Sequence, residues 1–126
     1  MLILTQTTDK IQVKLSGTVA SAQLQCYSSY RDSTSSSITP GRTVVLTNNT
    51  TYVDIVPSPS ASTSRSVEYL SVYNSDTTSA TVTFSVNDNG TIYEINIATI
   101  SAGQKVEIKL ELVLEFLMNW EVKNQH

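Results

Sequence analysis

The sequence predicts an all-β protein: an antiparallel β-sandwich of jelly-roll or Ig-like topology with about eight or nine strands. Three observations carry this. Apolar and polar residues alternate at period two in several short runs, and no helical period appears before residue 105. Clusters of Asn, Asp, Gly, Pro and Ser separate those runs. Ser and Thr make up 35 of 126 residues, yet they interleave with Val, Ile, Leu and Tyr. That spacing suits the wet side of strands better than a disordered linker.

The first apolar run, Leu2 to Leu4, is short enough to pair at a sheet edge. Asp9 to Leu15 alternates cleanly, with Ile11, Val13 and Leu15 on one face and Gln12 and Lys14 on the other; Gly17 breaks it. Val19 to Tyr30 is a weaker strand, with Leu24, Cys26 and Tyr30 sharing a face. Arg31 to Pro40 (RDSTSSSITP) reads as a polar, mobile surface loop. Thr43–Thr47 and Thr51–Val56 are strands separated by a turn at Asn48-Asn49, and Pro57-Ser58-Pro59 ends the second. Ser58 to Ser66 reads as a crossover between two sheets.

Next come runs at Val67–Tyr73, Thr81–Val86 and Ile92–Ala98, joined by polar turns, which the spacing predicts to be a three-stranded antiparallel meander. Val67, Tyr69 and Tyr73 are expected on one side of the first, with Leu70 and Val72 on the other. In the second, Val82, Phe84 and Val86 share a face; in the third, Tyr93, Ile95 and Ile97 do. Lys105 to Trp120 alternates for a long way, giving a strand through Leu110 and two readings beyond it. A continued strand competes with a short C-terminal helix, because Leu110, Val113, Leu114 and Leu117 also satisfy helical spacing.

Length fits one domain over residues 1–126, with 110–126 as an oligomerisation or docking tail. An apolar, Pro-free end of this kind has to be paired or covered by a neighbouring subunit. Its candidate interface residues are Leu112, Leu114, Phe116, Leu117, Met118 and Trp120.

Residues 1–65 carry five basic and three acidic side chains; residues 66–126 carry three and eight. No Lys/Arg cluster exists to displace counterions from phosphates, so nucleic acid is not an expected partner. The uneven charge suits docking between unlike faces, or simply a solvated surface. No apolar run approaches the ~20 residues of a membrane span. The first residues lack the basic start and apolar stretch of a signal peptide, and Cys26 has no partner cysteine. The chain reads as a soluble product of a reducing cytoplasm.

Reactive groups are sparse. The one histidine is His126 at the last position, which leaves no imidazole for a Ser-His-Asp or Cys-His arrangement. Asn87-Asp88-Asn89-Gly90 has the oxygen ligands and glycine of part of a calcium loop, but lacks the closing Glu; a hairpin turn is the plainer reading. Six Tyr residues and Trp120 suit a sugar- or protein-binding surface, or ordinary cross-strand packing. The expectation is no enzyme, no metal and no cofactor.

The run from Val53 to Gln104 resembles a type of small virion-associated protein of tailed bacteriophages. The resemblance is carried by Asp54-Ile55-Val56-Pro57-Ser58-Pro59-Ser60-Ala61-Ser62-Thr63-Ser64-Arg65 and Val67 to Asp76. It continues through Thr81-Val82-Thr83-Phe84, Asn87-Asp88-Asn89-Gly90 and Ala102-Gly103. Lys109 to Asn119 departs from the type, which has a short turn before its final aromatic strand. What the resemblance implies is a non-enzymatic capsid decoration (cement) protein. It would sit on the virion capsid surface after synthesis in the host cytoplasm, as a homo-oligomer (trimer or dimer). Its partners would be the major capsid protein or other virion proteins. The rival reading is a tail-fibre or baseplate β-domain that binds host-surface glycans.

Overall fold

The computed structural model describes residues 2–110. They form nine strands: β1 (Leu2–Leu4), β2 (Asp9–Leu15), β3 (Gln25–Ser33), β4 (Ile38–Leu46) and β5 (Val53–Val56), then β6 (Ser64–Tyr73), β7 (Ala80–Asp88), β8 (Thr91–Ile100) and β9 (Lys105–Lys109). Two antiparallel sheets pack together as a β-sandwich. One runs β1-β6-β3-β4 and also holds β9; the other runs β5-β2-β7-β8.

β1 and β9 share one edge of β6 end to end. β1 pairs with Arg65–Val67 and β9 with Tyr69–Tyr73, while β3 takes the opposite edge. Leu110 extends this row by one bond, its N–H donating to the Glu68 carbonyl at 2.8 Å.

The alternation seen in the sequence becomes the core. Ile11, Val13 and Leu15 of β2, Val82 and Phe84 of β7, Cys26 of β3 and Leu24 just before it are all buried. At ~25 cal/mol per Å² of apolar surface, burial of this set is the main favourable contribution to the fold. β7 and β8 close through Asn89 and Gly90 at φ 51° and 96°. A two-residue loop with both angles positive matches the strands' twist, which is why the turn is Asn-Gly.

Several expectations are corrected. The meander is a hairpin plus one: β7 and β8 pair, but the run at Val67–Tyr73 lies in the other sheet as part of β6. The polar segment Asn74–Ser79 therefore crosses between sheets instead of turning within one. Arg31 to Pro40 is not a loop over its whole length. Pairing continues to Ser33↔Ile38, leaving only Thr34–Ser37 as the turn, held by Thr34 N–H donating to the Ser37 carbonyl. Val19–Leu24 precedes β3 as a loop, and Thr51-Tyr52 precedes β5.

Two strands also change phase. β6 places Glu68 as an extra residue between Ser29↔Tyr69 and Tyr30↔Val67, so Val67 faces inward with Leu70 and Val72, not with Tyr69 and Tyr73. β8 inserts Ile95 between Phe84↔Asn96 and Ser85↔Glu94, which separates Ile97 from Tyr93 and Ile95.

Gly41 lies opposite Tyr30 in the β3–β4 hairpin, and a Cβ built there would stand 2.6 Å from the ring's Cε2. The ring is held in place, because its hydroxyl bonds the Arg42 carbonyl and Thr43 and the Arg65 guanidinium sits 4.2 Å from its centroid. Gly41→Ala is therefore expected to lower stability by about 1–3 kcal/mol, read as a lower urea midpoint at unchanged slope.

Candidate functional site

The six residues the sequence nominates as an interface, Leu112, Leu114, Phe116, Leu117, Met118 and Trp120, lie outside the described residues. The described residues offer three other regions: a polar knot at one end of the sandwich, an ion-paired stack on the five-stranded sheet, and an apolar groove at the other end.

The knot is built on Asn74–Asp76, between β6 and β7. Asn74 is fully buried, and its Nδ2 donates to the carbonyls of Ile100 (2.8 Å) and Thr78 (2.9 Å), while its Oδ1 accepts from Asp76 N–H. Its backbone bonds Gln104 and Gly103 in the β8–β9 turn. Asp76 accepts the N–H groups of Ala20 (2.9 Å), Ser21 (2.8 Å), Ala22 (3.2 Å) and Thr77 (2.8 Å).

These donors, Ala20 first, hold the Asp76 carboxyl well below the usual carboxylate range against the opposing effect of burial. A small pocket of about 150 Å³ lies beside it, lined by Gly17, Val19 and Ser79 among others. Both Asp76 oxygens already accept from the protein, so the carboxylate acts as a strut for the β2–β3 connection.

The adjoining β4–β5 turn is fastened similarly. Gln23 Oε1 accepts from Thr47 Oγ1 and Asn49 N–H, and Asn49 Oδ1 accepts from Val19 N–H and Gln23 Nε2.

Arg65 heads the second region. Its Nε and Nη2 donate to Asp32 at 2.8 and 3.0 Å, its Nη1 donates to the Pro57 carbonyl at 2.7 Å, and its plane covers the Tyr30 ring. The Asp32 hydrogen bonds raise the Arg65 pKa further. One guanidinium thus ties β3, β6 and the β5–β6 crossover together.

The remaining tyrosines divide. Tyr27 and Tyr69 pack edge to face at 5.9 Å, and Tyr52 lies under the Lys14 ammonium. Tyr69 also donates to Glu107, which lowers that carboxyl's pKa. Tyr73 and Tyr93 are exposed.

Chemistry is confined. Cys26 is 1% exposed, and burial pushes its thiol up to about 12, so it stays protonated. Among the described residues no three His, Cys, Asp or Glu side chains gather in metal-binding geometry. Asn87 Oδ1 accepts from Gly90 N–H at 2.8 Å within the hairpin turn, a use of its oxygen that braces the backbone.

The groove lies where β1 faces the β7–β8 hairpin. It holds about 460 Å³ and is lined by Ile3, Leu4, Val86, Tyr93 and Ile95 together with Asp9 and Asp88. Sequence patterning missed it, since its far wall is β1, three residues whose place is fixed only by pairing with β6. Exposed apolar side chains are not limited to it: Ile38, Val44 and Leu46 of β4, and Ile92 and Ile97 of β8, also face solvent.

Comparison with protein-family models, curated proteins and solved structures finds no match for this chain.

Two predictions test this description. Arg65→Lys keeps the charge but loses the fork and the flat stacking surface, and is expected to cost about 1.5–3 kcal/mol in chemical denaturation. For Asp76, the folded-state pKa lies below the unfolded value of ~3.9. Its stabilisation is therefore complete above roughly pH 5 and is lost as pH falls through the carboxylate range toward the folded pKa. Asp76→Asn is expected to unfold more easily at neutral pH and to show a shallower loss of Tm between about pH 5 and 2. Some slope persists, because Glu107 titrates in the same sense.

Proposed function

We propose that the protein is a non-enzymatic structural component of a tailed-bacteriophage virion, a capsid decoration protein that stabilises the head through protein–protein contacts. The observation that carries the reading is the character of the two edge strands β4 and β8. Each presents large apolar side chains to solvent: Ile38, Val44 and Leu46 on β4, and Ile92, Tyr93, Ile95 and Ile97 on β8. A sandwich with apolar flanks and no assembled reactive cluster among the described residues is suited to burying surface against other proteins. The resemblance over Val53–Gln104 supplies the virion setting, and the phage head supplies the partner: capsomers of the major capsid protein, bound by a homo-oligomer. Many copies each burying on the order of 1,600 Å² offset the head's internal pressure by mass action, without covalent links.

The test is sedimentation of purified protein with emptied, expanded capsids, with light scattering to fix its own oligomeric state. Saturable binding in symmetric stoichiometry is expected, together with an upward shift in the capsid's disruption temperature. Val44→Glu with Leu46→Glu is expected to weaken binding while leaving the Tm of the isolated protein within about 2 °C, since both side chains are solvent-exposed. No capsid binding, combined with specific Tyr-dependent binding on a glycan array, would replace this reading with the tail-fibre one.

A further inference from the structure

The acidic end of the groove contains an electrostatic anomaly. Asp9 opens β2 and stands directly opposite Asp88 at the end of β7, in the same register that puts Ile11 against Val86 and Val13 against Phe84. Both carboxylates therefore lie on the inward side of their sheet. Like charges directly opposite one another destabilise a strand pair. Asp9 is 9% exposed; its Oδ2 accepts from Thr5 and Gln6 N–H, but its Oδ1 is buried with no hydrogen-bond partner. The ion pairs among the described residues join Lys10 to Asp54, Arg31 to Glu68, Arg65 to Asp32 and Lys105 to Glu107. Neither Asp9 nor Asp88 belongs to one. A buried acceptor without a donor is unfavourable, and the exposed Asp88 carboxylate lies on the same groove, so this end of the groove is complementary to a cationic hydrogen-bond donor.

The groove's wall adds a second constraint. β8 is ten residues long, pairs with β7 on one side, and has no strand on its other side among the described residues. The remaining edges are blunted. β4 carries Pro40 and Arg42, β5 has four residues and runs into Pro57, and β9 carries Lys105 and Lys109. β8 has no Pro, Lys or Arg, and Glu94 is its one charge. Its extra residue sets Ile95 beside Tyr93 on the groove.

We propose that the β1–β8 groove is a docking site for an extended segment of a partner protein that carries an Arg or Lys two residues from an apolar side chain. The segment adds to the free edge of β8. Its apolar side chains enter between Ile3 and Tyr93, and its cation reaches Asp9 and Asp88. The alternation of a strand places side chains i and i+2 on one face, which matches a groove with an apolar length and an acidic end. The site is a property of the fold and holds whether or not the partner is a capsid.

The full chain, ¹⁵N-labelled, is titrated with the capped peptide Ac-Val-Thr-Ile-Thr-Arg-Thr-amide and with its citrulline analogue. Expected are saturable shifts confined to residues 2–9, 86–88 and 91–97, with binding about tenfold weaker for the citrulline peptide and for Asp88→Asn. Asp88 is chosen because it is exposed and outside the Thr5–Asp9 turn, so its variant keeps the fold. Equal binding of the two peptides, or no shifts, overturns the proposal. So do three alternative occupants: a second copy, seen as shifts that depend on protein concentration alone; the chain's own end, seen as peptide binding only after truncation behind Leu110; and a divalent cation, seen as the same shifts with calcium chloride alone.

Discussion

Among the described residues, six of the eight connections between consecutive strands pass from one sheet to the other, and only β3–β4 and β7–β8 are hairpins within a sheet. Hydrophobic burial presses the two sheets together but does not dictate where each crossing lies, because it has no direction. Direction comes from Asn74 and Asp76. Between them these two side chains and their backbone bond the β2–β3 connection, the end of β8 and the β8–β9 turn. Asn74 has no exposed surface, its bonds to the Ile100 carbonyl and the Asp76 N–H form away from water, and deleting the side chain strands those partners. Core packing alone leaves these paths open; the knot holds three crossings at once.

Arg65 does for the β5–β6 crossing what Asp76 does for the β2–β3 one, by a different route. A carboxylate gathers N–H donors from a tight loop, whereas a guanidinium gathers carbonyl and carboxylate acceptors and stacks on a ring as well. The crossing passes Pro57, which lacks an N–H but offers a carbonyl, and Arg65 takes it. Tyr30 then has Arg65 over its ring and Gly41 across the hairpin. The pairing explains a glycine inside a strand, a position where the residue otherwise weakens the sheet.

The sequence made much of this legible, and each failure has its own physical cause. Period two identified Ile11, Val13 and Leu15 and the inward side of β7, because regular pairing preserves phase over five to seven residues. It failed at Val67 and Ile97, where a single extra residue, Glu68 in β6 and Ile95 in β8, reverses which side is wet. It failed again over the meander. A polar stretch such as Asn74–Ser79 looks the same whether it reverses within a sheet or crosses to the other, since Asn and Asp serve backbone bonding in both cases. Arg31–Pro40 was misleading for the opposite reason: its Ser and Thr side chains occupy both faces of a hairpin whose outer end has no core to cover. The groove was illegible because it joins β1 to the far end of a hairpin more than eighty residues away.

The edges of the two sheets show where selection for solubility and selection for contact diverge. An edge strand with free N–H and C=O groups invites association, and proteins usually suppress it with Pro, Lys, brevity or a bulge. β5 is short and ends at Pro57, and β4 contains Pro40, yet β4 also exposes Val44 and Leu46 past that point. β8 keeps only the bulge at Ile95 and the charge at Glu94. A bulge on an edge bends the strand away from a flat partner, so it discourages indiscriminate sheet stacking without closing the ladder. Together with an acidic end that no Lys or Arg among the described residues pairs, this favours a partner chosen by sequence over one chosen by flatness. On that argument β4 and β8 are not equivalent: β4 supplies apolar area for a broad contact, and β8 supplies a register.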